Sequence, residues 1–487
     1  MSDLNKPRSA PELVWFLLVV SIFTLVGSAC GKKTNEVPNI VLIYADDLGY
    51  ADLGCFGASE IKTPNLDRLA SQGVRLTQFY VSSPVCCPSR SGLLTGRYPQ
   101  RNGLHSNIRN DMVNYRHTYS ELEYACSPEM SLGLDLREVT IAQVLHDAGY
   151  VTGVVGKWDS GRARRFLPLQ RGFDYFYGFA NTGIDYWTHE RYGIPSMYRG
   201  NQRIKEIGYA TTLFGKEAEQ FIERNRDSPF FLYVPFNAPH GPSNVERTGP
   251  QAPDEYIQMY GELPGSPRVR YMANITCMDA AVGGILNTLQ KLDLEGNTLV
   301  IVTSDNGPTS VGRATPFRGQ KGDMYEGGIR VPFIARWPGW IGEGTTSDEF
   351  CSTLDLFPTI SALAGARSNP DVILDGYDIW SVLTEMARSP RHEQYWELRG
   401  ARAARVDNWK WVLESPRFTI PAEDAVGMLY DLSDDPSEQK DLAVENPEIL
   451  RMVREKWESW MDEMASSEPR GPFSHSYFEL LGYPRRP

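Results

Sequence analysis

The feature that most constrains the fold of this 487-residue chain is the run Pro38 to Ala45, which reads PNIVLIYA and contains no charged side chain. A continuous, branched, apolar run of this length is typical of a strand buried on both faces, as in a largely parallel sheet covered by helices. The run ends at Asp46-Asp47, so two carboxyl groups follow the strand directly. The sequence therefore predicts an α/β fold with acidic groups at the end of a central strand.

Helix-like and strand-like segments alternate beyond this run. The predicted order is a helix from Pro64 to Ala70 with Thr63 as N-cap, a strand from Val74 to Val81, a helix from Thr140 to Asp147, a strand from Tyr150 to Val155 that ends at Gly156-Lys157, a strand from Phe230 to Phe236 that ends near His240, a helix from Tyr271 to Lys291, and a strand from Thr298 to Thr303 that leads into Asp305-Asn306. In such sheets ligands collect beyond the carboxyl ends of the strands, so the polar groups there predict one active site.

The last quarter of the chain has a different character. Segment 385–392, EMARSPRH, is polar, contains Pro390 and follows a predicted helix at Ile379 to Leu383, so we interpret it as an interdomain linker. Short strand-like runs then predict a small antiparallel sheet, followed by a helix: Gln394 to Leu398, Ala403 to Val406, Trp409 to Leu413 and Met428 to Leu432, with the helix at Pro447 to Ala465. We expect a large domain over 38–384 and a small α+β domain over 393–487.

The N-terminus has the layout of an export signal. Lys6 and Arg8 precede the uncharged run Leu13 to Val26, followed by Gly27-Ser28-Ala29-Cys30. As a helix this run reaches about 21 Å, less than the roughly 30 Å hydrocarbon core of a bilayer. We therefore expect residues 1–29 to be a signal peptide and 30–37 a spacer. Two outcomes stay open: lipidation of Cys30 with membrane attachment, or plain cleavage after Ala29. The protein is expected in the periplasm, on the cell surface or outside the cell.

Charge and cysteine content exclude several classes of partner. The net charge of -12 argues against nonspecific binding to nucleic acid, so a polyanionic substrate would need a local basic site. The seven cysteines are too few for a disulfide scaffold and show no spacing typical of zinc.

The segment from Cys86 to Arg97 reads CCPSRSGLLTGR. A pair of inert, buried cysteines at a strand-to-helix corner is the alternative for Cys86-Cys87, and the match of the whole motif disfavours it. The motif resembles the signature of the sulfatase family. The resemblance implies that Cys86, two residues before Pro88 and four before Arg90, is oxidised by a formylglycine-generating enzyme to Cα-formylglycine. The hydrated aldehyde is then the nucleophile, and its second hydroxyl permits release of sulfate.

Four oxygen-bearing side chains lie at two strand ends, namely Asp46, Asp47, Asp305 and Asn306. Taken singly, such residues mostly start turns or cap helices. Together, without a Cys or His cluster, they indicate a hard cation such as Ca²⁺ or Mg²⁺. They match the metal quartet of the resembled family, which implies calcium that also contacts residue 86.

Three further positions match the resembled family: Lys157 in Gly-Lys-Trp, His240 in Ala-Pro-His, and Lys321 in RGQKGDMYEGGIRVP. The resemblance implies that they contact the nucleophile or the sulfate. Arg90 presents a planar guanidinium that can bind the aldehyde diol and metal-ligand carboxylates at once.

One position departs from the pattern, because many sulfatases carry a histidine where this chain has Asp159. A carboxylate can accept a proton but cannot donate a hydrogen bond when it is ionised. Either Asp159 is catalytic, or it is structural and another group such as His189 takes the role.

The resemblance implies an alkaline-phosphatase-like fold and a sulfuric ester hydrolase acting on sulfated carbohydrates or aryl sulfates, with exo action on glycan fragments. Two alternatives stay open: a phosphodiesterase or phosphonate monoester hydrolase of the same superfamily, and an inactive surface protein that binds sulfated glycans. Five aromatic and basic residues form either a sugar subsite or a packed loop: Tyr186, Trp187, Arg191, Tyr192 and Tyr198.

Overall fold

The architecture is a computed structural model that describes residues 37–468 and 470, except 109–119, 121, 123–124, 127–129, 245, 247, 367–368, 370 and 416–424. An 11-stranded sheet forms its centre, in the order β12-β2-β11-β10-β1-β9-β3-β4-β7-β8, with β13 also pairing with β2. The strands are β1 Asn39–Asp46, β2 Val74–Tyr80, β3 Val151–Lys157, β4 Tyr175–Phe179, β5 Glu190–Arg191, β6 Ile194–Pro195, β7 Met197–Arg199, β8 Gln202–Arg203, β9 Phe230–Pro239, β10 Thr298–Ser304, β11 Arg330–Arg336, β12 Thr345–Ser347 and β13 Cys351–Ser352. The short strands β5 and β6 form a separate ribbon.

The middle of the sheet is parallel: β1 pairs with both β9 and β10, and β3 pairs with β9 and β4. The register of β1 against β10 places Asn39 opposite Thr298 and Ala45 opposite Ser304. Because both strands run in the same direction, Asp46 and Asp305 emerge at the same edge. The expected α/β fold with a largely parallel sheet is confirmed.

Helices cover both faces of this sheet. They are α1 Pro64–Ser71, α2 Cys86–Thr95, α3 Pro99–Asn102, α4 Ile141–Asp147, α5 Ala210–Arg224, α6 Asp254–Gln258, α7 Pro267–Lys291, α8 Glu326–Ile329, α9 Leu356–Leu363 and α10 Trp380–Glu385. Alternate residues of β1 enter opposite cores. Ile40 and Leu42 join the core that includes α2, α4 and α9, whereas Val41 and Ile43 join the core with α1, α5 and α7. This explains the continuous apolar run of β1.

A second, antiparallel sheet follows, in the order β14-β15-β16-β17, with strands β14 Glu393–Leu398, β15 Ala401–Val406, β16 Trp409–Leu413 and β17 Met428–Asp431. Helix α11, Pro447–Ser466, packs on it through Trp457 and Trp460. The small C-terminal sheet with its helix is thus confirmed. Segment 385–392 is anchored, because Arg391 is buried and forms an ion pair with Asp355, which directly precedes α9. The domain boundaries at 384 and 393 stay a prediction.

Helix α1 is capped by a residue of α7 and not by the side chain that precedes it. Thr63 precedes α1, but its side chain does not cap the helix. Asp279 of α7 accepts hydrogen bonds from the backbone N–H groups of Asn65 and Leu66 instead.

The predicted signal peptide (1–29), Cys30 and most of the spacer lie outside the described residues. Within the part of the chain that is described, none of the helices combines the length and apolarity that crossing a bilayer requires.

Candidate active site

The predicted site residues meet at the carboxyl edge of the parallel strands. Asp46 ends β1, Lys157 ends β3, His240 follows β9 and Asp305 follows β10. Cys86 is the first residue of α2 and comes in from the side. The sheet register therefore brings together groups that lie far apart in the sequence, as expected from the strand ends.

Cys86 lies at the centre of the cluster and is only 3% exposed. Its Sγ lies 3.0 Å from Lys321 Nζ and 3.4 Å from Asp46 Oδ1. Burial raises the pKa of the Cys86 thiol well above its ordinary value, although Lys157 and Lys321 oppose this effect. An unmodified Cys86 is therefore protonated and a weak nucleophile.

The oxygen quartet fits a hard cation. Asn306 Nδ2 donates to Asp47 Oδ1 at 2.8 Å, and among the described residues Asn306 Oδ1 and Asp47 Oδ2 are buried without a hydrogen-bond partner. Donor atoms of Asp46 and Asp47 lie within 4.8 Å of those of Cys86 and His240, whereas Asp305 accepts from Arg90 and from the backbone N–H of Asp47. Unpartnered buried oxygens are costly unless a ligand satisfies them, and carboxylate and amide oxygens are the ligands that Ca²⁺ and Mg²⁺ prefer.

Arg90 and Lys157 supply buried positive charge. Arg90 donates from Nε and Nη2 to Asp305 Oδ2 at 3.0 and 2.7 Å, and its Nη1 has no hydrogen-bond partner in the described part of the chain. Lys157 Nζ lies 2.8 Å from Asp46 Oδ2. Burial would lower the pKa of Lys157, but Asp46, Cys86 and Asp159 together outweigh this effect and raise the pKa, so the lysine stays charged. Burial raises the pKa of Asp305 to about 6, against the opposing effect of Arg90.

Lys321 and His240 line the opening of the site, with 18% and 21% of their side chains exposed. Lys321 Nζ donates to Asp47 Oδ1 as well as contacting Cys86. His240 donates from Nδ1 to the Gly241 carbonyl at 2.5 Å, so Nε2 carries no proton in the neutral ring. Burial lowers the pKa of His240 to about 3, which keeps the ring neutral. A ligand that enters the site meets these two side chains first.

Comparisons with known proteins agree with this geometry. The sulfatase family model matches residues 38–366, and a model of the C-terminal region of N-sulphoglucosamine sulphohydrolase matches residues 319–465. The chain is 34% identical to arylsulfatase A of Homo sapiens, covering 88% of this chain and 89% of that protein. It is 36% identical to N-acetylgalactosamine-6-sulfatase of Canis lupus familiaris, covering 75% of this chain and 69% of that protein.

The solved structure of Ps i-CgsB in complex with k-i-k-neocarrahexaose aligns with a TM-score of 0.79 at 30% identity, over 92% of this chain and 98% of that chain. The chain belongs to the sulfatase family. It is a sulfuric ester hydrolase of the arylsulfatase type. A phosphonate monoester hydrolase of Agrobacterium radiobacter shares the fold at 21% identity, with a TM-score of 0.59.

Asp159, the departure of this sulfatase from the usual motif, lies beside the cationic cluster. Its Oδ2 is 3.5 Å from Lys157 Nζ and accepts no hydrogen bond from the residues that the structure describes. Burial raises the pKa of Asp159, which Lys157 and Arg90 oppose. The residue adopts a left-handed backbone conformation, with φ of 52°.

The proposed substitute, His189, is held elsewhere. Its Nε2 donates to the Gly208 carbonyl at 2.9 Å, and Nδ1 has no partner among the described residues. Tyr186 is fully buried and donates to the carbonyls of Asn237 and His240. It therefore belongs to a packed loop, whereas Trp187 is 47% exposed and can contact a ligand.

The sequence reasoning missed Tyr44, which supports Arg90. The Arg90 guanidinium lies 5.3 Å from the Tyr44 ring centroid, and Tyr44 Oη is 3.3 Å from Ser89 Oγ. Tyr44 precedes Asp46 by two residues in β1, so both side chains point to the same face of the sheet. This spacing is the signal that could have identified it.

Proposed function

We propose that this sulfatase matures by oxidation of Cys86 to formylglycine and removes sulfate from sulfated carbohydrates or aryl sulfates. The observation that carries the proposal is the position of Cys86 Sγ, buried between Lys321 Nζ at 3.0 Å and Asp46 Oδ1 at 3.4 Å. A sulfate ester at residue 86 would lie beside Lys321 and beside Asp46 and Asp47, to which Lys157 and Lys321 are hydrogen-bonded. This arrangement supports charge stabilisation at the reacting sulfur.

Formylglycine at position 86 supplies a hydroxyl nucleophile, and a calcium ion supplies additional positive charge near sulfate. Asp46, Asp47, Asp305 and Asn306 would hold that ion. The residue roles of the remaining cluster follow from their placement.

Lys157 and Lys321 offset the negative charge of the sulfate, and Arg90 orients the metal-ligand carboxylate of Asp305. Lys321, at the opening, is also placed to stabilise or protonate the leaving oxygen, whereas the neutral His240 ring presents an unprotonated Nε2 there. Asp159, whose Oδ2 lies 3.5 Å from Lys157 Nζ, is placed to accept a proton. These groups are preorganised by hydrogen bonds within the folded chain, which is the arrangement that electrostatic catalysis requires.

We further propose exo action on sulfated glycan fragments. The structure of Ps i-CgsB contains a carbohydrate, and relatives of this chain are named N-acetylgalactosamine-6-sulfatase. Trp187 supports a sugar contact, because it is exposed and follows Tyr186, whose hydroxyl donates to the His240 carbonyl. The maturing partner is a formylglycine-generating enzyme.

We propose that the protein is exported, with lipidation of Cys30 as one outcome and secretion as the other. The uncharged run Leu13 to Val26 behind Lys6 and Arg8 supports this proposal. Metabolic labelling with a fatty acid analogue, compared between the native chain and Cys30→Ser, distinguishes the two outcomes.

The central experiment expresses the full chain with a formylglycine-generating enzyme and analyses the peptide that contains Cys86 by mass spectrometry. We expect conversion of the thiol to the aldehyde, together with hydrolysis of an aryl sulfate that Cys86→Ala lacks. A paired aryl phosphate diester tests the phosphodiesterase alternative. A persistent thiol, or a large preference for the phosphate diester, would overturn the proposal. Desulfation on a glycan array then identifies the sugar.

A further inference from the structure

Lys321 belongs to a loop whose central residues are hydrogen-bonded to the segments that precede Cys86 and follow β10. We define the Lys321 loop as residues 318–329, from Arg318 to the end of α8. The backbone N–H of Lys321 donates to the Pro308 carbonyl at 2.8 Å, and that of Gly322 donates to the Pro84 carbonyl at 3.0 Å. Pro84 lies two residues before Cys86, so the loop and the nucleophile position share a backbone contact.

The Lys321 loop is held near both ends by residues of β17 and of the segment that follows this strand. Arg318 Nη1 donates to Tyr430 Oη of β17 and to the Glu438 carbonyl, both at 3.3 Å. At the other end, the backbone N–H of Glu326 donates to Glu438 Oε2 at 2.7 Å. Glu438 therefore contacts both ends of the loop, through its backbone and through its side chain.

A buried ionic cluster reinforces the second of these contacts. Lys410 Nζ of β16 lies 2.9 Å from Glu326 Oε1 and 2.8 Å from Glu438 Oε1. All three side chains are fully buried. Tyr80 donates to Glu326 Oε2 at 2.5 Å and Arg330 lies 3.1 Å from the same oxygen, so Glu326 is fixed from the catalytic sheet as well.

Buried ion clusters of this kind are weak sources of stability, because desolvation offsets much of the attraction between the charges. Removal of one member, in contrast, leaves an uncompensated charge and disturbs the local arrangement. Such a cluster is well suited to fix one geometry. Here the geometry that it fixes is the loop on which Lys321 approaches Cys86.

We propose that Lys410 of β16 and Glu438, in the segment that follows β17, are positioning residues that hold the Lys321 loop, and thereby Lys321 Nζ, against the nucleophile. The inference rests on the role given to Lys321 under the proposed function. Through this contact the second sheet becomes part of the catalytic apparatus, although neither Lys410 nor Glu438 touches Cys86 or the oxygen quartet in the described structure.

The test is a double-mutant cycle between Lys410→Met and Lys321→Ala, measured as kcat and KM for an aryl sulfate on enzyme of equal formylglycine content. Displacement of a catalytic group by a fraction of an ångström is costly, so we expect Lys410→Met to lower kcat by about tenfold. In the Lys321→Ala background we expect Lys410→Met to lower kcat by less than about twofold, since residues that act through one group are not additive.

Arg391→Met is the matched control. Arg391 is another buried cation that joins the C-terminal part to the core, through Asp355, without contacting the Lys321 loop. We expect it to lower the melting temperature while leaving kcat of the folded enzyme within about twofold. Tyr430→Phe removes only the hydroxyl that accepts from Arg318. We expect Tyr430→Phe to give a smaller loss of kcat, and this loss should again be absent in the Lys321→Ala background. Tyr430→Phe replaces Lys410→Met in the cycle if Lys410→Met does not fold.

Hydrogen exchange supplies a readout that is independent of activity. We expect Lys410→Met to accelerate exchange of the Lys321 and Gly322 amides, and Arg391→Met to leave them protected. Equal losses of kcat in both Lys321 backgrounds, unchanged amide protection, or an equal effect of Arg391→Met on kcat would overturn the positioning role. Absence of sulfatase activity in the matured parent would instead refute the proposed function, and the exchange data would still decide whether Lys410 holds the loop.

Discussion

Replacement of Asp159 by asparagine separates the two roles that its position allows. Asparagine has nearly the same volume and tolerates the left-handed backbone at this residue, with φ of 52°. The substitution therefore removes the charge and the proton acceptor with little change in shape. Because Asp159 Oδ2 has no hydrogen-bond partner to lose, the fold should keep its other contacts.

Two effects of opposite sign are expected. Asp159 Oδ2 lies 3.5 Å from Lys157 Nζ, and at an effective dielectric constant of about 20 this pair attracts by about 5 kcal/mol. Loss of that charge leaves Lys157 more available to sulfate. Since Asp46 still holds Lys157 at 2.8 Å, we expect KM to fall by at most about tenfold, or about 1.4 kcal/mol. Loss of a proton acceptor typically costs 10²- to 10⁴-fold in rate, so we expect kcat to fall by about 100-fold or more.

The assay is steady-state hydrolysis of an aryl sulfate by parent and Asp159→Asn across pH, with formylglycine content matched by mass spectrometry. Burial raises the pKa of Asp159. As the pH falls, the kcat of the parent should therefore begin to drop at a higher pH than the titration of an ordinary aspartate would give. This limb should be missing from the variant. Asp159→His, which restores the usual family residue, should retain more activity than Asp159→Asn. A kcat for Asp159→Asn within about threefold of the parent would refute the catalytic role.

Three further outcomes are expected. Arg90→Lys keeps the charge but can replace only one of the two hydrogen bonds to Asp305. We therefore expect kcat/KM to fall by about 10- to 100-fold, the equivalent of losing about 1.5–3 kcal/mol. A loss under threefold would contradict this expectation. Chelation should lower both activity and melting temperature, because a bound ion stabilises the native state, and calcium should restore them better than magnesium; unchanged melting would contradict a metal site. Burial lowers the pKa of His189, so the stability from its neutral form is present above the ordinary pKa and lost as pH falls. In His189→Gln, which keeps a donor for Gly208, the free energy of unfolding should decline less between pH 7 and 5.

The sequence predicts the sheet and the site edge well, because the information is local. The end of each apolar run indicates where a strand ends, and the parallel pairing of β1 with β10 brings Asp46 and Asp305 together. Contacts across long sequence separations are less accessible. Asp279 caps α1 through Asn65, which lies 214 residues away in the sequence, and a rule based on Thr63 as the neighbouring N-cap cannot show this.

The second sheet illustrates the same limit. Its strands are predicted to within two residues at each end, since their alternation is local. The contact of Lys410 and Glu438 with Glu326 is not predicted, because the sequence around these two residues does not distinguish them from exposed charged residues. Charged residues are rarely buried unless they are paired, and pairing partners cannot be read from spacing alone.

The burial of Cys86 sets an order of events in the life of the chain. With 3% of the residue exposed and its Sγ enclosed by Lys321 and Asp46, another enzyme has no access to the thiol once the sheet has formed. The oxidation proposed for this position would therefore precede folding, while the segment around it is still extended. The rate at which the nascent chain collapses would then compete with the proposed maturation, so a variant that folds faster would yield less active protein even if its final structure were unchanged.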